Sequence, residues 1–209
     1  DEERWLEKES VDKRVLALQE RVLGESHPET TSSTMSLAAT FFQQGRSDKA
    51  MELAIRALEM RQKIWGEKNS YTMKSKVAVG MIFHQQGLYH EAEAIYSEVL
   101  NLQIQGSWLE METRPYVIDC LAWTYYVQGR YEEAEAHLDS AWSLHQEFDG
   151  GQHPDTLQAL HQLAVIVHMN GRPEKGIELM QTCVESRREV LGYAHPLTNV
   201  STLLLEGWK

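Results

Sequence analysis

Nine histidines and two cysteines are the side chains of this 209-residue chain best suited to holding a metal or passing a proton. Their spacing speaks against a metal. No His-x-x-x-His, Cys-x-x-Cys or Glu-x-x-His pair occurs, and those spacings bring two ligands to one ion. His161 and His168 stand seven residues apart, two helical turns or roughly 10 Å, too far to share one. For acid–base chemistry the suitable set is His84, Asp119, Tyr126, His161 and His168, because a histidine beside a carboxylate titrates near neutrality. No phosphate-cradling glycine loop, serine elbow or nucleotide fingerprint is present. The expectation is a chain with no catalytic residues, no metal and no cofactor. A small-molecule or enzymatic pocket using that histidine, aspartate and tyrosine set is the alternative.

The elements that would position these residues announce themselves by repetition. Gly45, Gly87, Gly129 and Gly171 recur at an interval of 42, each after Gln44, Gln86, Gln128 or Asn170. A fixed period of this size means stacked supersecondary units that bury their apolar faces on one another. Within one unit, Leu37, Ala38 and Phe41 recur at helical spacing up to Gln44-Gly45. Ala50, Leu53, Ala54, Ala57 and Leu58 then recur up to Trp65-Gly66. The unit is a helix A, a glycine turn and a helix B, an antiparallel hairpin. Between units runs Leu23-Gly24-Glu25-Ser26-His27-Pro28, repeated around His153-Pro154 and His195-Pro196 and degraded around Asn69-Ser70. Glycine stops helix B and proline opens the next helix A, so the histidines of this linker read as structural punctuation.

The period predicts full repeats at 28–66, 70–108, 112–150 and 154–192, with an orphan helix B at 4–23 and an orphan helix A at 197–206. Together these make a single array over 1–209. Half-repeats at both ends suggest an array cut from something longer, since natural ends need polar faces. Small residues share one phase of each helix: Ala38, Gly80, Ala122 and Ala164 on helix A, Ala50, Ala92, Ala134 and Gly176 on helix B. Cys120 and Cys183 sit at apolar helical positions, which predicts buried free thiols rather than a disulfide framework.

The formal charge of −11, from 31 acidic and 20 basic residues, argues against nucleic acid as a partner, because such binding draws on Lys and Arg. No run of 18 apolar residues, signal-peptide pattern or basic amphipathic stretch points to a membrane. A cytoplasmic, reducing compartment is the default. The first residue is Asp1 rather than Met, which leaves an upstream targeting segment open.

The hairpin sequence Leu-Ala-x-x-Phe/Tyr followed by Gln-Gly-Arg-Tyr-Glu-Glu-Ala-Glu resembles a tetratricopeptide repeat. The period of 42 with Leu-Gly-x-x-His-Pro-x-Thr between units is similar to the kinesin-light-chain variety, also found in C-terminal arrays of fungal NLR-type proteins. The likeness runs from about residue 24 to 198. HEAT and armadillo arrays have comparable periods but lack this turn sequence. The resemblance implies an all-α, right-handed superhelical solenoid whose concave face, lined by helix A, binds peptides or partner proteins. One departure is the third linker, Gly106-Ser107-Trp108-Leu109-Glu110-Met111-Glu112-Thr113-Arg114-Pro115, in which Trp108 would plug a seam or offer a contact.

If helix A presents the family's usual face inward, three ladders line the groove. The first is Phe42, His84, Tyr126 and His168. The second is Ala39, Met81, Trp123 and Val165, and the third is Met35, Val77, Asp119 and His161. Gln43, Gln85, Val127 and Met169 flank the first. The lining is aromatic and apolar, with Lys74 and Asp119 as its charges. It lacks most of the Lys, Arg and Asn with which carboxylate-clamping members of the family hold peptide C-termini. Such a groove suits the hydrophobic anchors of a partner helix or strand, each worth about 1.5–3 kcal/mol when buried. The expected activity is therefore a protein-interaction or scaffolding module. Self-association within a larger signalling protein is the second reading, and plain packing between repeats is the bland account of the same residues.

Overall fold

The computed structural model describes residues 2–104 and 114–208. Among them every regular element is an α-helix: α1 (Glu2–Leu23), α2 (Pro28–Gln43), α3 (Ser47–Trp65), α4 (Ser70–Gln85), α5 (Tyr89–Ile104), α6 (Arg114–Val127), α7 (Tyr131–Phe148), α8 (Pro154–Met169), α9 (Pro173–Leu191) and α10 (Pro196–Gly207). Trp108, with most of the third linker, lies outside the described residues. The chain forms two compact units, Asp1–Ser107 and Trp108–Lys209. In the first, α1 packs on α2, α2 on α3, α3 on α4 and α4 on α5. In the second, α6 packs on α7, α7 on α8, α8 on α9 and α9 on α10. This is an all-α array of helical hairpins. No helix among the described residues is long and apolar enough to cross a membrane.

The turns explain the period. Gly45 has φ 71°, and the peptide N–H groups of Gly45 and Arg46 return to the carbonyls of Phe42 and Phe41 at 3.0 and 2.9 Å. This closes helix A with a left-handed residue that only glycine adopts without strain. The linker histidines turn out to be caps. His27, His153 and His195 each precede a proline with extended backbone, and each Nδ1 accepts the N–H of the residue after that proline, at 3.2–3.3 Å. In the degraded linker Asn69 Oδ1 does the same for Tyr71 at 2.9 Å. A ring nitrogen stands in for the usual Ser, Thr, Asp or Asn oxygen.

Side-chain size sets how closely the hairpin helices lie. Ala50, Ala92 and Ala134 are fully buried, as are Ala122 and Ala164. A Cβ on Gly80 would lie 2.7 Å from the ring of Tyr96, so the second hairpin exchanges a side chain on one helix for a larger one on the other. In the fourth hairpin a Cβ on Gly176 would lie 2.6 Å from His168 Cβ and 2.9 Å from His168 Cα and N. The outer helices differ. On α1, Lys8 and Asp12 stand where the first hairpin has Ala50 and Ala54, and they pair with each other at 2.9 Å while Thr40 Oγ1 donates to Asp12 at 2.7 Å. On α10, Glu206 stands where the hairpins have Ala38, Ala122 and Ala164.

A polar residue recurs towards the C-terminal ends of the B helices at the same interval: Arg61, His145 and Arg187, with Gln103 at the corresponding place in the sequence. Arg187 is only 1% exposed, and its guanidinium donates to Leu197 O at 3.0 Å, Ser201 Oγ at 2.6 Å and Gln158 Oε1 at 2.7 Å. Arg61 repeats the pattern with Tyr71 O at 3.1 Å, Ser75 Oγ at 2.9 Å and Ser32 Oγ at 3.3 Å. Each arginine fastens helix A of its own hairpin and helix A of the next. Its positive charge sits at a helix C-terminus, where the backbone dipoles favour it.

The Gly176 contacts are with His168 Cβ and with backbone atoms, none of which a change of rotamer can move. Gly176→Ala should therefore destabilise the second unit by about 1–2 kcal/mol net, overpacking outweighing the helix propensity that alanine gains. Urea denaturation of the variant against the parent chain measures it.

Candidate functional site

The helix-A positions separate into two classes once their neighbours are known. In the first unit, Met35 and Phe42 are half-buried against the cluster of Leu37, Ala38, Phe41 and Ala54, and Val77 is buried. Met81 is half-buried. His84 sets its ring edge-on to Tyr89 at 5.2 Å, and burial lowers its pKa. Ala39, Gln43, Lys74 and Gln85 are the exposed members of this face. Gln85 is held in place, accepting from Ser47 Oγ at 2.7 Å.

In the second unit the ladder of Asp119 and His161 points into the seams between helices. Asp119 Oδ2 meets His145 Nε2 of α7 at 3.1 Å, and His145 Nδ1 meets Asp149 Oδ2 at 2.7 Å. His161 Nδ1 contacts Ser201 Oγ of α10 at 3.0 Å. Burial and, secondarily, the charge of Arg187 push its pKa down to about 4. His168 stacks on Trp208, centroids 4.1 Å apart and planes within 14°. The acid–base set thus forms separate contacts, each with its own partner, rather than one constellation. His145 was not among the candidates drawn from the sequence. The signal was there, in the recurrence of Arg61, Gln103, His145 and Arg187, which sets a polar residue at one phase of every helix B.

What faces outward is aromatic and aliphatic. On α6 the spacing of Tyr116, Trp123 and Val127 makes one stripe, and all three are exposed, Trp123 by 37%. Met169 on α8 and Val200 on α10 are exposed as well. Trp123 stacks on Tyr126 at 4.6 Å, and Tyr126 leans on Tyr131 of α7 at 5.7 Å, so the indole is braced from behind. Cys120 is half-buried on the same helix, and Cys183 is buried; neither is in a disulfide. Among the described residues no group of three His, Cys, Asp or Glu side chains is arranged to hold a metal ion.

Family models agree with this architecture. The model of the tetratricopeptide repeat matches residues 2–63 and 116–189, and a second model of the same repeat matches residues 74–103. The chain belongs to the tetratricopeptide repeat family. None of the curated proteins matches it in sequence. Solved structures do match in fold. A Podosopora anserina protein of the kinesin light chain type, with nearly identical TPR-like repeats, is 21% identical over 90% of this chain and 89% of its own, with a TM-score of 0.72. BtubC (BKLC) from P. vanneervenii is 24% identical over 93% of this chain and 77% of its own, with a TM-score of 0.77. The Rap conjugation gene regulator of the plasmid pLS20, solved in complex with the Phr* peptide, is 12% identical with a TM-score of 0.81, and this chain spans 55% of its length.

The low pKa of His161 has a consequence with a definite sign. The unfolded chain takes up a proton near pH 6.5 and the folded tetratricopeptide unit does not until about pH 4. This histidine therefore makes stability fall as pH drops from 6.5 towards 4, with no cost above 6.5. Replacing it by glutamine should flatten that acid limb in urea denaturation measured at pH 4.5, 5.5 and 7.

Proposed function

We propose that this chain is a protein-interaction module that receives an apolar, aromatic-anchored segment of a partner peptide or protein on the helix-A face of its second unit. The carrying observation is the braced and exposed Trp123, set in a stripe with Tyr116 and Val127 and supported by Tyr126 and Tyr131. A rigid aromatic presented on a helix loses little conformational freedom on binding, so more of its roughly 1.5–3 kcal/mol of burial remains as affinity. The Rap regulator, which shares the fold, is solved with a peptide bound. Phe42, Met81 and His84 offer a smaller and more buried counterpart in the first unit. In the second unit His168 and Tyr126 act as supports of the face and Asp119 and His161 as the layer beneath it, and Met35 and Val77 are the corresponding layer of the first unit. A non-enzymatic role fits the separate engagement of Asp119, His161 and His168.

Self-association is the second reading, favoured by one stripe. Val11, Val15, Leu18 and Val22 lie along α1 at intervals of four, three and four residues, and all are exposed. In the complete hairpins the position of Val15 is held by Ala57, Val99, Ala141 and Cys183, all fully buried. Light scattering over a concentration series distinguishes this reading, which requires mass to rise with concentration and to stop rising in Val15→Glu.

The main reading is tested by selecting peptides from a displayed library on the parent chain and measuring their binding to Trp123→Ala combined with Met169→Ser. Loss of at least a hundredfold in affinity at unchanged helicity and melting is expected. Unchanged affinity rules out the helix-A face as the binding surface.

A further inference from the structure

The third hairpin handles its buried helix-B position in a way that the first and fourth do not. Arg61 and Arg187 carry permanent charges and donate to carbonyl, hydroxyl and amide oxygens. His145 stands at the same phase of its helix, 5% exposed, and lies between two carboxylates. Asp119 comes from α6 and Asp149 from the cap of α7. A neutral imidazole has one N–H, so it satisfies one of these contacts and turns a lone pair towards the other carboxylate. An imidazolium donates to both.

We propose that His145 is the positioning residue of α6 and works as a proton-operated clamp, tying α6 to the end of α7 when charged and releasing one side of that tie when neutral. Because α6 carries Tyr116, Trp123 and Val127, the clamp sets how firmly the binding face is held. That consequence rests on the binding reading above, whereas the clamp itself does not.

The surroundings are consistent in sign. From α6 the titratable group facing His145 is Asp119, whose Oδ1 is buried with no hydrogen-bond partner, so its charge is answered by the imidazolium. From its own helix end it is Asp149. From α8, Thr156 Oγ1 donates to the His145 carbonyl at 3.2 Å, and Asp155 adds negative potential at Asp119. Among the described residues no lysine or arginine pairs with any of these three carboxylates. Burial opposes a charge on His145, but the bonds to Asp119 and Asp149 prevail and raise its pKa above the ordinary value. Burial likewise raises the pKa of Asp119, against the pull of His145. A histidine raised in the folded state contributes stability that is complete below pH 6.5 and is lost as pH climbs through its folded value. The raised aspartate changes stability in the same direction. The clamp therefore closes on the acid side of neutrality and loosens on the alkaline side.

The test needs no ligand. Amide exchange of α6 and α7, corrected for intrinsic rates, is followed from pH 6 to 8.5 in the parent chain, in His145→Arg and in His145→Gln. The opening constant of α6 in the parent should rise by about tenfold across that range, the worth of one charge-assisted hydrogen bond. His145→Arg should hold α6 closed throughout, and His145→Gln should leave it open throughout. Parallel profiles in the parent and His145→Arg overturn the proposal. Imidazole nitrogen shifts test it independently on the parent chain alone: both nitrogens of His145 should be protonated at pH 6, and a neutral ring there overturns the proposal even if neither variant folds. Failure of peptide capture in the Trp123 variant bears on the binding reading and leaves these measurements unaffected.

Discussion

Two helices can lie close along their length only where one of them presents almost no side chain at the crossing. Every other property of this chain depends on that constraint. The alanines at 50, 92 and 134, the glycines at 80 and 176 and the alanines at 38, 122 and 164 are the places where it is met. The exchange is quantitative and local. Gly80 makes room for Tyr96, and Gly176 lets the backbone of α9 reach that of α8 at His168. Because the small residues occupy fixed phases, the large ones are left with fixed directions, and the outward stripe of α6 is one result.

The polar interior follows from the same closeness. A helix B that packs on two A helices brings its C-terminal turn within reach of both, and a long cationic side chain there can fasten three elements at once. Arg187 does so through Leu197, Ser201 and Gln158. Desolvating a guanidinium without a carboxylate is costly, and it is tolerated here because carbonyl dipoles at helix ends surround it. The third hairpin reaches the same mechanical end with a shorter side chain and two acids.

Much of the scaffold was legible in the sequence because repetition marks it. The glycine comb fixed the turns, the His-Pro linkers fixed the helix starts, and the small-residue phases fixed which faces meet. The repeat family was legible from the same residues. Side-chain destinations were less so. Phase alone placed the column of Asp119 and His161 beside that of Trp123 on one face, since the two differ by a single helical turn. It could not say that the first points at the neighbouring helix and the second at solvent. That distinction depends on where α7 and α10 lie, as the His145 and Ser201 contacts show. The capping role of His27, His153 and His195 was hidden for another reason: it depends on which ring nitrogen faces the following N–H, and composition carries no trace of that.

The polar residues at the helix-B ends also limit how far these hairpins are interchangeable parts. The two arginines are matched to residues on two other helices, Arg61 to Ser32 and Ser75, Arg187 to Gln158 and Ser201, and His145 is matched to Asp119. A third hairpin copied into the fourth position would bring a histidine to face Ser201 without a guanidinium's reach. A fourth copied into the third would keep its own glutamine but set Arg187's counterpart against Ala159 in place of Ser201, and alanine accepts no hydrogen bond through its side chain. The first and fourth hairpins share an arginine that meets a serine of the following helix, whereas the third carries a different lock. A single hairpin moved along the array therefore keeps its internal contacts and loses those made by the last turn of its helix B to the hairpin that follows.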